Sequence, residues 1–190
     1  PERPLILVLS PAHAAPADVL AKLSAALSTE SGLSVELRAA ATTQDAVTRF
    51  ATGNADAALL PLFDYFFCHQ RYGGKAALQV LRGEGERSYR GEILVRADGG
   101  IEGLADLDKK RVAYADRYST SGFLFPAGLI AEAGANPVAS FAGSHEAALA
   151  ALRAGDAVAA AVYRGAAGDD ATLRSLATTR PIPQEPVFFR

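Results

Sequence analysis

Three hydroxyl side chains, Ser119, Thr120 and Ser121, stand side by side ahead of Gly122 in the stretch YADRYSTSGFLFP at 114–126. One helix needs one N-cap, so two of these hydroxyls are surplus to capping. The stretch follows the apolar run Arg111–Tyr114 and opens a helical pattern over Gly122–Ala133. A helix that opens at the carboxyl end of a strand offers free N–H groups and the positive end of its dipole to an anion. Rotatable hydroxyls add donors there, and glycine lets the backbone come close. No lysine follows, so the stretch is not a nucleotide P-loop. Pro126 allows only a first turn before it, which makes a loosened or tightened helix start the expectation. On these residues alone, a redundant cap and an anion cradle both fit.

Other residue types with chemistry lie at comparable places. In AGSHEAALAAL, Ser144 is placed as N-cap and His145 in the first turn. A charged imidazole is disfavoured at a helix N-terminus unless an anion sits beside it, so His145 is either neutral or a donor into the same anion site. Tyr89, just before the strand at Ile93–Val95, can offer its hydroxyl to a ligand. His13 follows the first strand, Asp64 and Tyr65 follow the third, and Glu185 in IPQEP lies where the chain re-crosses. Each also reads as an ordinary packing or surface residue. Cys68 and His69 have no further ligands near them, so no metal site is expected. Ser121 with His145 would suit a hydrolase, yet no G-x-S-x-G elbow is present.

The elements that must position these residues follow from apolar periodicity. Leu5–Leu9 is a continuous apolar run, the mark of a strand covered on both faces. Val19, Leu20, Leu23, Ala26 and Leu27 recur at helical spacing up to Gly32 as C-cap. Strands are expected at Val35–Leu37, Ala57–Leu60, Ala77–Leu81, Ile93–Val95, near Phe141, at Ala157–Val162 and at Val187–Phe189. Helices are expected over 43–52, 63–72, 122–133 and 145–154. Regular alternation with Gly and Pro punctuation predicts an α/β fold with parallel strands. Two lobes are expected, 1–88 with 184–190 and 92–180, joined by two extended crossings near 90 and 185. Such crossings form a natural hinge, with a ligand cleft between lobes.

Composition bounds the function. The chain has 190 residues, 49% hydrophobic and 21% charged, enough for a sizeable core. A net charge of −2 argues against a nucleic-acid partner. The single cysteine excludes an internal disulfide and a thiolate metal cluster. No run is long enough to span a membrane or to form a signal peptide. The chain opens on Pro1 without methionine, as a processed or trimmed chain does.

The stretches GGIEGLADLDKKRVAYADRYSTSGFLFPAGLIAEAG and SFAGSHEAALAALRAGDAVAAAV, continued in RPIPQEPVFFR, resemble the periplasmic phosphonate- and phosphite-binding proteins of ABC transporters. The resemblance covers roughly residues 41–190. It implies a type II periplasmic-binding-protein fold whose two lobes close on a tetrahedral oxyanion. In that reading Ser119, Thr120 and Ser121 hold the anion with the helix amides, His145 donates from the second helix opening, and Tyr89 from the hinge side. Glu185 stands where the family usually has an aspartate that reads the rest of the ligand. Gln44 stands where a first-lobe tyrosine is usual, and Tyr65 lies beside the slot of a second aromatic. The implied protein is a non-enzymatic, monomeric, extracytoplasmic solute receptor, reached through a removed leader or a lipid anchor. It needs no cofactor or metal, and its partners are a small oxyanion and an ABC permease. The alternatives are a sensor domain for another small metabolite and a Ser/His hydrolase. Family members continue past the last strand with helices on the first lobe, which implies that this lobe is trimmed or reduced here.

Overall fold

The strand β1 (Leu5–Leu9) begins an α/β alternation with α1 (Ala17–Ser31), β2 (Val35–Ala39), α2 (Thr43–Thr52), β3 (Ala57–Leu59), α3 (Leu62–Tyr72) and β4 (Lys75–Gln79). The computed structural model describes residues 3–190, so Pro1 lies outside it. β1 pairs in parallel with β2 on one side and β3 on the other. Its residues alternate between two cores: Leu7 and Leu9 meet Leu20 of α1, while Val8 meets Val47 and Phe50 of α2 and Cys68 of α3. Helices on both faces are why the strand carries no polar residue. Each helix ends on a left-handed glycine, Gly32, Gly53 or Gly73, as its sequence position predicts.

The chain continues through β5 (Ser88–Tyr89), β6 (Gly91–Arg96), β7 (Arg111–Tyr114), α4 (Phe125–Glu132), β8 (Val138–Phe141), α5 (His145–Ala154), β9 (Ala159–Tyr163), β10 (Leu173–Thr178) and β11 (Ile182–Pro183). A five-stranded sheet runs in the order β10-β6-β9-β7-β8, with β7 parallel to β8 and β9, and β6 antiparallel to β9 and β10. Ile130 of α4 packs on Ile93, Val112 and Ala161 on one face. Leu149 and Leu152 of α5 pack on Leu94, Ala113 and Ala160 on the other. β5 and β11 form a separate two-stranded pair, Tyr89 opposite Ile182.

The last strand, β12 (Pro186–Phe189), inserts antiparallel between β3 and β4, giving the first sheet the order β2-β1-β3-β12-β4. By their contacts the described residues form two units: one runs to Arg87 and takes in Gln184–Arg190, the other is Ser88–Pro183.

The strands β4, β9 and β10 differ from the expectations. β4 starts at Lys75 rather than Ala77 because Gly74 brings the chain directly against the core: a Cβ there would lie 2.9 Å from the Phe188 ring and 3.2 Å from Phe50. β9 starts two residues later than the apolar run and ends one residue beyond it, at Tyr163. β10 has no counterpart in the expectations, since its pairing with β6 is interrupted by a bulge between Ser175 and Ala177 and breaks the alternation.

Candidate functional site

The turn after β7 is held by aromatic packing. Tyr114, 1% exposed, meets the Phe123 ring edge-on at 5.0 Å, and Phe123 meets Phe141 at 4.9 Å. Between these anchors, residues Thr120–Leu124 form one π-helical turn before α4 begins. The widening answers the problem posed by Pro126, which has no N–H to give the Gly122 carbonyl four residues back. That carbonyl instead accepts from the Ala115 amide at 3.1 Å.

Of the three hydroxyls, one caps. Ser119 Oγ accepts from the Gly122 amide at 3.0 Å. Thr120 and Ser121 are 7% and 4% exposed, and among the described residues neither side-chain hydroxyl has a hydrogen-bond partner. The turn is packed from both sides without slack. A Cβ on Gly91, the first residue of β6, would lie 2.8 Å from the Ser121 carbonyl oxygen. A Cβ on Gly122 would lie 2.6 Å from Ala115 Cβ, 2.8 Å from Ser119 Oγ and 2.9 Å from His145 Cε1.

The last of these distances brings the second helix opening to the first. Ser144 Oγ accepts from the Ala147 amide at 3.1 Å and caps α5, which sets His145 in the first turn. The imidazole lies between Gly122 and Tyr163, whose ring it meets at 5.0 Å and 72°. Its Nδ1 is buried with no hydrogen-bond partner. Burial pushes the His145 pKa below the ordinary histidine value, against the smaller upward pull of Glu146 and Asp116. The ring is therefore neutral near pH 7. Hydroxyls, helix-end amides and a neutral imidazole make a set of uncharged donors, suited to a dehydrated oxyanion.

The remaining predicted residues belong to the first unit, apart from Tyr89. Tyr89 is half-buried in the β5–β11 pair. Gln44 is exposed in the first turn of α2. Tyr65 is half-buried, and its ring packs against Phe188 at 5.1 Å and His69 at 5.8 Å. In α3 it lies three residues from buried Cys68, on the same side of the helix.

Glu185 and His13 do come together. Glu185 Oε2 accepts from Arg82 Nη2 at 3.1 Å, and His13 Nε2 lies 3.8 Å from Oε1, an ion-pair distance rather than a hydrogen bond. Ser10 Oγ holds His13 Nδ1 at 2.9 Å, and Gln184 Oε1 accepts from Arg82 Nε at 3.1 Å. Burial raises the Glu185 pKa, but His13, the residue's own amide and Arg82 outweigh it and bring it to about 2. Because this lies below the free value of 4.5, the stability Glu185 adds is complete above that pH and is lost as pH falls through about 2. Thermal melts taken downward from pH 5 are expected to lose less stability in Glu185→Gln than in the parent chain. Equal slopes would remove Glu185 from the acid transition. Ser10, Arg82 and Gln184 were not legible as partners, being 102 and 103 residues apart in the case of Arg82 with Gln184 and Glu185.

Among the described residues no group of His, Cys, Asp and Glu could hold a metal, and no helix is long and apolar enough to cross a membrane. Burial, with Asp64 adding to it, pushes the Cys68 thiol up to about 11, so it is inert.

Comparison with known proteins adds three findings. The profile of a family described as the periplasmic substrate-binding protein of phosphonate ABC transporters matches residues 12–190. A phosphate-import protein, PhnD, of Mycolicibacterium smegmatis is 34% identical over 68% of this chain, which spans 45% of that relative's length. Among solved structures, a Xanthomonas citri protein bound to ATP superposes with a TM-score of 0.80 at 20% identity, over 98% of this chain and 76% of that one. PhnD1 of Prochlorococcus marinus in complex with methylphosphonate gives a TM-score of 0.66 at 20% identity, over 97% of this chain and 75% of that one.

Proposed function

Because this chain belongs to the periplasmic substrate-binding family of phosphonate ABC transporters, we propose that it captures a small phosphorus oxyanion for a permease. The anion is a phosphonate, phosphite or phosphate ester, held at the opening of the π turn by Ser119, Thr120, Ser121 and His145. Tyr89, Glu185, Gln44, Tyr65 and His13 complete the proposed ligand set. The protein is an extracytoplasmic, monomeric receptor that performs no chemistry on its ligand. The carrying observation is His145 Nδ1, buried and without a hydrogen-bond partner, beside a turn whose Thr120 and Ser121 hydroxyls make no side-chain hydrogen bond among the described residues. A buried polar atom left unpaired is costly unless a ligand engages it, and that cost also rejects a wrong ligand.

Methylphosphonate, phosphite or phosphate is expected to raise the melting temperature with increasing concentration, since binding to the folded state alone stabilises it. Ser121→Ala is expected to weaken calorimetric binding by about tenfold, the scale of one hydrogen bond to a charged group. If none of the three anions binds or shifts melting, the oxyanion reading fails. Turnover of a phosphate ester that disappears in Ser121→Ala would instead establish an enzyme. Against that outcome stands the absence, among the described residues, of a hydrogen bond joining the Ser121 hydroxyl to His145.

A further inference from the structure

Helix α4 turns Pro126 and Ile130 to the core of the second unit. Another side carries Phe125, Gly128, Leu129 and Glu132, at the spacing of one helix face. This face lies open beside Thr179 and Arg180 and forms a groove of about 290 Å³, lined only by residues of Ser88–Pro183. The wall opposite α4 is fixed. Thr179 is buried, its hydroxyl accepts from the Gly91 amide at 2.9 Å, and its carbonyl accepts from Arg90 Nη1 at 2.6 Å.

Gly128 makes a notch in the floor. A glycine inside a helix costs stability, and neither backbone nor packing requires this one. Its φ is not positive, and a Cβ there would meet nothing within 4 Å. Opposite charges stand at the two ends of the groove. The Arg180 guanidinium lies over the Phe125 ring, 5.1 Å from its centre, and Glu132 follows two helical turns later. Among the described residues neither side chain has a hydrogen bond or an ion pair. Two turns of helix advance about 10 Å, the span of roughly three residues of extended chain. A guanidinium stacked on a ring keeps its fork of donors free for a carboxylate.

We propose that this groove binds short peptides with free ends, with the carboxylate on Arg180, an apolar middle side chain over Gly128 and the ammonium on Glu132. The groove shares no lining residue with the Ser119–Ser121 turn or His145, so the proposal is independent of the oxyanion reading.

The test is calorimetry at pH 7 with the tripeptide Gly-Leu-Gly, and with its acetylated, amidated form as the uncharged control. The parent chain is expected to bind the free tripeptide with a dissociation constant of about 0.1–1 mM, the range ordinary for a ligand of this size. Blocking both ends is expected to weaken binding by about a hundredfold, and Arg180→Ala by about tenfold. Gly128→Leu fills the notch and is expected to remove peptide binding without lowering the melting temperature, since leucine favours a helix over glycine. Methylphosphonate is expected neither to displace the peptide nor to bind differently to the two variants. Failure of the parent to bind the tripeptide, equal binding of the blocked form, or unchanged binding by folded Gly128→Leu overturns the proposal. Displacement of the peptide by methylphosphonate would put it at the hydroxyl turn and overturn the groove assignment as well.

Discussion

Gly122→Ala is expected to weaken oxyanion binding by roughly a hundredfold or more. The added methyl would lie 2.6 Å from Ala115 Cβ, 2.8 Å from Ser119 Oγ and 2.9 Å from His145 Cε1, all inside van der Waals contact. None of these neighbours yields cheaply. The Ala115 amide is bonded to the Gly122 carbonyl at 3.1 Å and the Ala115 carbonyl accepts from Gly143 at 2.7 Å, which ties it to both helix openings. Ser119 is the cap, and the imidazole is backed by Tyr163. Relief therefore comes from shifting Ser119 and His145 together, the two donors on either side of the turn. The loss of two charged hydrogen bonds sets the affinity change, whereas overpacking alone costs about 1–3 kcal/mol of stability. Calorimetry with methylphosphonate, run beside urea denaturation, separates the two effects. A folded Gly122→Ala that binds within a few-fold of the parent would show that the close fit is not what shapes the cradle.

Phe188→Ala is expected to be the most destabilising of the substitutions considered, at about 3–5 kcal/mol. Phe188 is 0% exposed and meets Phe50 edge-on at 4.8 Å and Tyr65 at 5.1 Å. Gly74 presses on its ring from the start of β4, so the site cannot collapse around a smaller side chain without losing the pairing of β12 with β4. Whole domains have only about 5–15 kcal/mol of stability, so this one cavity removes a large share. Urea unfolding reads the change directly, and Phe188→Leu is expected to recover much of it. A cost of less than about 1 kcal/mol would mean that β12 is not integral to the first sheet.

Much of this architecture could be read from the chain because its signals are local. Leu5–Leu9, the helix over 145–154 and the C-cap glycines depend on neighbours in sequence, and they lie where periodicity puts them. The same holds for Ser144 as a cap. The surplus of hydroxyls at 119–121 was legible as an excess over capping, and the structure divides the labour: Ser119 caps while Thr120 and Ser121 do not. Pro126 signalled an irregular helix start, but the direction of the irregularity, a widened turn, depended on Ala115 being there to take the Gly122 carbonyl. What could not be read was assembled across distance. Nothing near Glu185 in sequence announces Arg82 or His13, and nothing near Tyr65 announces the Phe188 ring it packs against. Strand β10 was hidden by its bulge, because a broken alternation is indistinguishable from a loop until its partner is seen.

The place of β12 has a consequence for how the molecule comes into being. Residues 186–189 fill an interior position of the first sheet, between two strands that were synthesised more than a hundred residues earlier. Ser88–Pro183 is continuous in sequence and is finished while the first sheet still lacks its fourth strand in spatial order. Order of synthesis and order of completion are thus reversed for these two units: the one begun earlier is completed later. Until β12 is made, β3 and β4 each present an unpaired edge, and the contacts that close this sheet are of long range in sequence, the kind that slows folding.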